Sequence, residues 1–179
     1  TYCGGNRIAL VDGYGSILWD ITGKHYESID VGKIRADIPG NQIVVDIPYA
    51  RWGANPIQII DEEGTVLGQI LTIYSRFHRL VEWTGDDCLE IIVGQDHCMF
   101  DGKGEKIAIF DMPVPPGEQP PSSTRESIIC AVGDMTGDGV PDVIYYTIPG
   151  TAVYIYKNEK GKKLEGEIPL GTGANFTLY

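Results

Sequence analysis

Along this chain, short runs of apolar residues, mostly β-branched or aromatic, are interrupted at close intervals by Gly, Asp, Asn and Pro. That is the pattern of short strands joined by tight turns. Arg7 to Ile21 reads as a hairpin closed by the Asp12-Gly13 turn. The same arrangement recurs at Pro56 to Leu71, His97 to Met112 and Ala152 to Leu170. Between these hairpins, Ile29 to Ile47, Arg79 to Gly94 and Ser127 to Thr147 each carry an apolar lead-in, a turn and a β-branched run. An inner pair followed by an outer hairpin makes four strands in roughly 40 to 50 residues, the period of a β-propeller blade.

The expected fold is therefore all-β: a β-propeller segment of about three and a half four-stranded blades. Residues 7–21 would form the outer hairpin of a first blade, with further blades at 29–71, 72–112 and 125–179, and a Pro-rich inter-blade loop at 113–124. A β-sandwich also shows evenly spaced short strands, but it does not require the same turn to recur in each unit. Three and a half blades leave sheet edges open, so the pattern predicts a partial ring, or one completed by further blades from the same or other chains.

The most distinctive of the turns is Gly133-Asp134-Met135-Thr136-Gly137-Asp138-Gly139-Val140-Pro141-Asp142. Side-chain oxygens at Asp134, Thr136, Asp138 and Asp142, with the Val140 carbonyl between them, form an every-other-residue set able to wrap calcium. A strand run, not a helical pattern, follows at once, so the site would sit on a β-turn. Glu82, Thr84, Asp86 and Glu90 repeat this spacing, 52 residues earlier when Asp86 is set against Asp138. A weaker copy at Ala36 to Asp46 keeps the turn but few carboxylates. The alternative for each is an ordinary hydrogen-bonded turn, because Asp and Gly favour turns for backbone reasons alone.

Charge and cysteine content narrow the setting. With 14 Lys+Arg against 25 Asp+Glu the formal net charge is −11, which repels a phosphate backbone and argues against nucleic acid as a partner. No apolar run approaches the length of a membrane span. Cys3, Cys88, Cys98 and Cys130 lack CxxC spacing. A Cys88–Cys98 bridge between neighbouring strands and buried free thiols are both compatible with their positions. Asn175-Phe176-Thr177 is a glycosylation sequon and, with the cysteines, tilts the reading towards a secreted glycoprotein.

The stretches Asp134 to Val143 and Glu82 to Ile91 resemble the calcium loops of FG-GAP repeats in integrin-type propellers. They are closer to those of secreted propeller lyases that cut rhamnose-containing acidic glycans, the rhamnogalacturonan and rhamnose-glucuronate lyase groups. The resemblance extends to Tyr74 to Trp83 and to Asp30 to Asp37, and departs at Thr136, Thr84, Glu82 and Glu90, where Asp or Asn is more usual. It implies structural calcium, an acidic polysaccharide as partner, and β-elimination at a uronate.

Such a reaction needs a cation to neutralise the uronate carboxylate, a base for the C5 proton and an acid for the leaving oxygen. Tyr74, Arg76 and His78 supply the catalytic types, and alternation along a strand would put them on one face with Arg79 on the other. A solvated strand edge explains the same residues without chemistry. Arg51-Trp52 could form a sugar platform, although packing suits Trp52 equally. His25 is a further substrate-binding candidate, or simply exposed. The rival to an enzyme is a non-catalytic FG-GAP-type module for adhesion, glycan binding or assembly.

Overall fold

The computed structural model describes residues 2–48, 55–114, 128–148, 150 and 152–162. These residues form fourteen strands and no helix. The first sheet is β1 (Tyr2–Gly4), β2 (Arg7–Val11) and β3 (Ile17–Thr22). The second is β4 (Ile29–Gly32), β5 (Gln42–Asp46), β6 (Asn55–Ile60) and β7 (Val66–Thr72). The third is β8 (His78–Val81), β9 (Glu90–Val93), β10 (Cys98–Phe100) and β11 (Lys106–Ile109). The fourth is β12 (Ile128–Gly133), β13 (Asp142–Thr147) and β14 (Val153–Tyr156). Each is an antiparallel meander whose strands follow one another in chain order.

Side chains on successive strand residues point to opposite faces, and this decides how the sheets stack. On β5, Ile43 and Val45 pack with Ile8, Tyr26 and Ile60 against the first sheet, while Val44 joins Ile57, Ile59 and Ile91 against the third. On β9, Ile91 and Val93 face back to the second sheet, and Ile92 faces forward with Met99, Val143 and Tyr145 to the fourth. The second and third sheets therefore bury both faces, which is why their strands read as unbroken apolar runs. The opening strands converge, with β8 touching both β4 and β12.

An aromatic cluster ties the third sheet to the fourth. Phe110 lies 5.8 Å from Trp83, 5.2 Å from Tyr145 and 4.7 Å from Tyr156 between ring centroids, separations at which tilted rings attract. The hydroxyls of Tyr154 and Tyr156 donate to the carbonyls of Pro113 and Asp111, anchoring the exit from β11.

The molecule is thus all-β, and the described residues form four small sheets in series without closing a ring. Two expectations need correction. Strand β8 begins only at His78, so Tyr74 and Arg76 lie on the connection from β7 and do not share a strand face with it. The Asp96 carboxylate accepts the Ile73 amide and the Ser75 carbonyl contacts His78 Nδ1, holding this connection as a bend. All four cysteines are free, so Cys88 and Cys98 are not bridged; Cys98 is buried in the core between the second and third sheets.

Candidate functional site

The acidic turns have a common internal geometry. Asp142, the first residue of β13, turns back so that Oδ2 accepts the amides of Met135 (2.9 Å) and Thr136 (3.1 Å), and Oδ1 accepts that of Asn158 (3.0 Å). Asp134 Oδ1 accepts the Gly137 and Asp138 amides, and its Oδ2 accepts that of Gly139. Asp138 Oδ1 accepts the Val140 amide at 3.0 Å and its Oδ2 lies 3.2 Å from Lys157 Nζ. The Val140 amide, with Lys157 behind it, lowers the Asp138 pKa.

The turn at Glu82 is built the same way. Glu90, the first residue of β9, accepts the Trp83 amide at 2.8 Å and the Thr84 hydroxyl at 2.7 Å. Glu82 accepts the Gly85 amide at 2.6 Å and, from the following unit, the Lys162 amide at 2.5 Å. Asp86 accepts the Cys88 amide. In the copy with few carboxylates, Gln42 opens β5 and its Oε1 accepts the amides of Ile34 (3.0 Å) and Arg35 (2.9 Å). Gln42, Glu90 and Asp142 thus each cap the amide seven residues upstream.

This geometry bears directly on calcium. All six carboxylate oxygens of Asp134, Asp138 and Asp142 already hold an amide or an ammonium group. Among the described residues, no three His, Cys, Asp or Glu side chains are grouped so as to hold a metal ion. Each of these oxygens keeps a second lone pair, so the amide caps and a bound cation are not mutually exclusive. Burial raises the Glu90 pKa, against the pull of the Thr84 hydroxyl and the Trp83 amide.

A further repeated cap went unread in the sequence. Asp12, Asp61 and Asp101 each accept the amides two and four residues ahead in the outer hairpins. In the fourth unit Asn158 Oδ1 accepts the amides two and three residues ahead, of Lys160 and Gly161. The signal was available as Asp/Asn-x-x-Gly, whose glycines at 15, 64 and 104 have φ of 86 to 87°, a region open to glycine at little cost.

The second candidate is the group around Tyr74 to Arg79. Arg76 Nε lies 2.9 Å from Glu27 Oε2, and His25 Nε2 lies 3.0 Å from the other Glu27 oxygen. His78 is 0% exposed, with Nδ1 3.0 Å from the Ser75 carbonyl and Nε2 3.6 Å from Asp30 Oδ2. Arg79 donates to the His78 carbonyl at 2.6 Å and reaches within 3.9 Å of the same Asp30 oxygen. Asp46, also fully buried, accepts the Glu27 and Ser28 amides on Oδ1. Burial pushes its pKa up, against the pull of His78 and those amides. Tyr74 is 5% exposed.

The fold therefore joins Arg76, His78 and Arg79 through Glu27, Asp30 and Asp46, partners the sequence did not reveal. His78 and Asp46 are fully buried and Arg76 and Glu27 nearly so, while His25 at the edge of the group is exposed. Open clefts lie elsewhere among the described residues. One of about 390 Å³ is lined by Trp83, Met99, Ile107, Lys157 and Lys160, and one of about 240 Å³ runs between Arg35, Asp37, Asp86 and Lys103. Arg51, Trp52 and Asn175 lie outside the described residues.

No family model matches the chain, and a search of curated proteins finds no significant match.

Proposed function

We propose that the chain is a non-catalytic repeat scaffold, part of a propeller-type protein working outside the cell, whose role is assembly or glycan binding. The observation that carries this reading is the burial of His78 and Tyr74, at 0% and 5% exposure. A general base must come within hydrogen-bond reach of the proton it takes, and these side chains are turned into the protein. Four consecutive meanders, with the first strand of the third sheet touching those of the second and fourth, support the propeller geometry. On this reading the acidic residues shape the turns and calcium is dispensable. The test is incubation with an acidic, rhamnose-containing polysaccharide. No ultraviolet-absorbing unsaturated uronate should accumulate; its appearance, and its loss in His78→Ala, would overturn the reading.

A second reading is β-elimination of such a glycan, with Tyr74, Arg76 and His78 as the reacting groups. The meeting of two guanidinium groups, an imidazole and carboxylates in one cluster favours it. It requires the connection 73–77 to move away before substrate could reach His78.

A further inference from the structure

Among the described residues, every buried side-chain oxygen or nitrogen that makes no hydrogen bond belongs to one neighbourhood: Tyr26 Oη, Glu27 Oε2, Asp30 Oδ2, Asp46 Oδ2, Ser75 Oγ and His78 Nε2. Buried polar atoms are nearly always satisfied, so such a concentration asks what the group holds. The partners of His78 give the first part of an answer. Its Nδ1 lies 3.0 Å from the Ser75 carbonyl oxygen, which can only accept, so Nδ1 carries a hydrogen. A neutral ring has no second one. Its Nε2 would then turn a lone pair towards Asp30 Oδ2 at 3.6 Å, acceptor against acceptor. With one proton between them, the same two atoms attract.

The charges around the ring lead to the same place. Strand β4 brings Asp30 and β5 brings Asp46, whose carboxylate feels the His78 charge. The connection before β4 brings Glu27, with His25 at its exposed edge, and the connection before β8 brings Arg76. Arg79 lies within 3.9 Å of Asp30. From β9, Val93 stands opposite His78 and is uncharged. From β12 comes Cys130, which donates to the Phe77 carbonyl and whose thiol burial pushes up to about 12. Tyr146 on β13, which feels the Arg79 charge, is a phenol whose pKa burial raises. Three carboxylates against two guanidinium groups leave one negative charge among these residues, in a place where an uncompensated charge is costly. One proton cancels it.

We infer that His78 Nε2 and the carboxylates of Asp30 and Asp46 hold one proton in common, a buried proton-binding site that makes the junction between the second and third units sensitive to pH. The same junction is tied by Glu27 to Arg76 and by the Ser28 hydroxyl, which donates to the Arg76 carbonyl at 2.6 Å. Burial raises the Asp46 pKa, as a retained proton requires. The folded molecule keeps the proton, whereas the unfolded chain gives it up above about pH 6.5, where a free histidine loses its charge. Stability from the site is therefore fully present below that pH and is lost as the pH rises, until the folded state also releases the proton. The site stands apart from the scaffold reading, and the polysaccharide assay does not bear on it.

The experiment is urea unfolding of the whole chain between about pH 7 and about pH 8, where the wild-type unfolding constant should rise roughly 5- to 10-fold, the slope of nearly one linked proton. Asp30→Asn removes one negative charge and offers an amide N–H in place of the proton, so the rise should shrink to about twofold or less. The buried thiols of Cys98 and Cys130 also resist ionisation, but they are common to both chains and cancel in the comparison. His97→Asn, at a ring that pairs with the Phe110 carbonyl outside this group, should keep the wild-type slope. Nitrogen NMR of the wild type, labelled at its three histidines, covers the case in which Asp30→Asn does not melt cooperatively. At about pH 8, where a free histidine is neutral, Nδ1 of His78 should carry a hydrogen and Nε2 should carry or share one. A flat wild-type profile, a slope that survives in Asp30→Asn or vanishes in His97→Asn, or a bare lone pair on His78 Nε2 overturns the inference.

Discussion

Replacing Asp142 with Ala removes a cap that holds three amides. The side chain is fully buried and accepts three amides, from Met135, Thr136 and Asn158. The last of these joins the inner turn of the fourth unit to its outer one. Alanine leaves all three donors without this partner in a part-buried setting. Each stranded donor costs about 1–3 kcal/mol where water cannot reach it, and less where it can. A loss of a single helix cap costs about 1 kcal/mol, so the expected total is about 2–4 kcal/mol. Asp142→Asn keeps one acceptor oxygen but turns an NH2 towards donor amides, and should fall between Ala and wild type. Urea unfolding followed by tryptophan fluorescence measures the difference, with Trp83 beside the affected core. Repeating it with calcium and with a chelator separates a cap from a cation cage. A cap gives the same loss in both, whereas a cage loses stability only where calcium is present. A change below about 0.5 kcal/mol, the range of an ordinary surface substitution, would refute the reasoning.

Three further outcomes follow from the same contacts. The raised pKa of Asp46 means that its favourable contribution is present below the unfolded-state pKa and is lost as pH rises through the folded-state value. Asp46→Asn keeps the oxygen that caps Glu27 and Ser28, so it should gain stability relative to wild type over that rise; parallel pH profiles would contradict this. Gly102→Ala would place a Cβ 1.9 Å from the Ile34 carbonyl oxygen, a backbone atom of the neighbouring unit. Overpacking of this kind costs about 1–3 kcal/mol or more, visible as a lower Tm, and an unchanged Tm would mean that the second and third units are not so closely apposed. Cys130 is buried and its thiol is pushed up to about 12, so a thiol reagent should modify it only on unfolding, after Cys88, which is partly exposed.

The all-β class was legible because strand length and turn chemistry are local properties. The Asp12-Gly13 turn and the run Ile43-Val44-Val45 declare themselves whatever surrounds them. The amide-capping contacts of the carboxylates were not legible, for a geometrical reason. A turn that wraps a cation and one that caps its own amides both bring alternate side chains inward, and spacing alone does not say what they meet. Gln42 held the missing clue, since a neutral amide oxygen at the position of Glu90 and Asp142 serves as a cap as well as a carboxylate does. The segment Tyr74 to Phe77 was read as strand because it abuts one, but Asp96 and Ser75 hold it as a bend through contacts from elsewhere in the chain or across its own turn. His78 likewise meets Asp30, nearly fifty residues away, and no local pattern marks that partnership.

The claim beneath this account is that three units of the chain are shaped by one repeated contact, a side chain at the head of the second strand holding an amide seven residues back. Native-state hydrogen exchange of the Arg35, Trp83 and Met135 amides addresses it directly. All three should exchange far more slowly than unstructured amides, and each should lose its protection in Gln42→Ala, Glu90→Ala or Asp142→Ala respectively while the other two keep theirs. Exchange of these amides at the rate of an unfolded chain, or protection indifferent to the three substitutions, would contradict it.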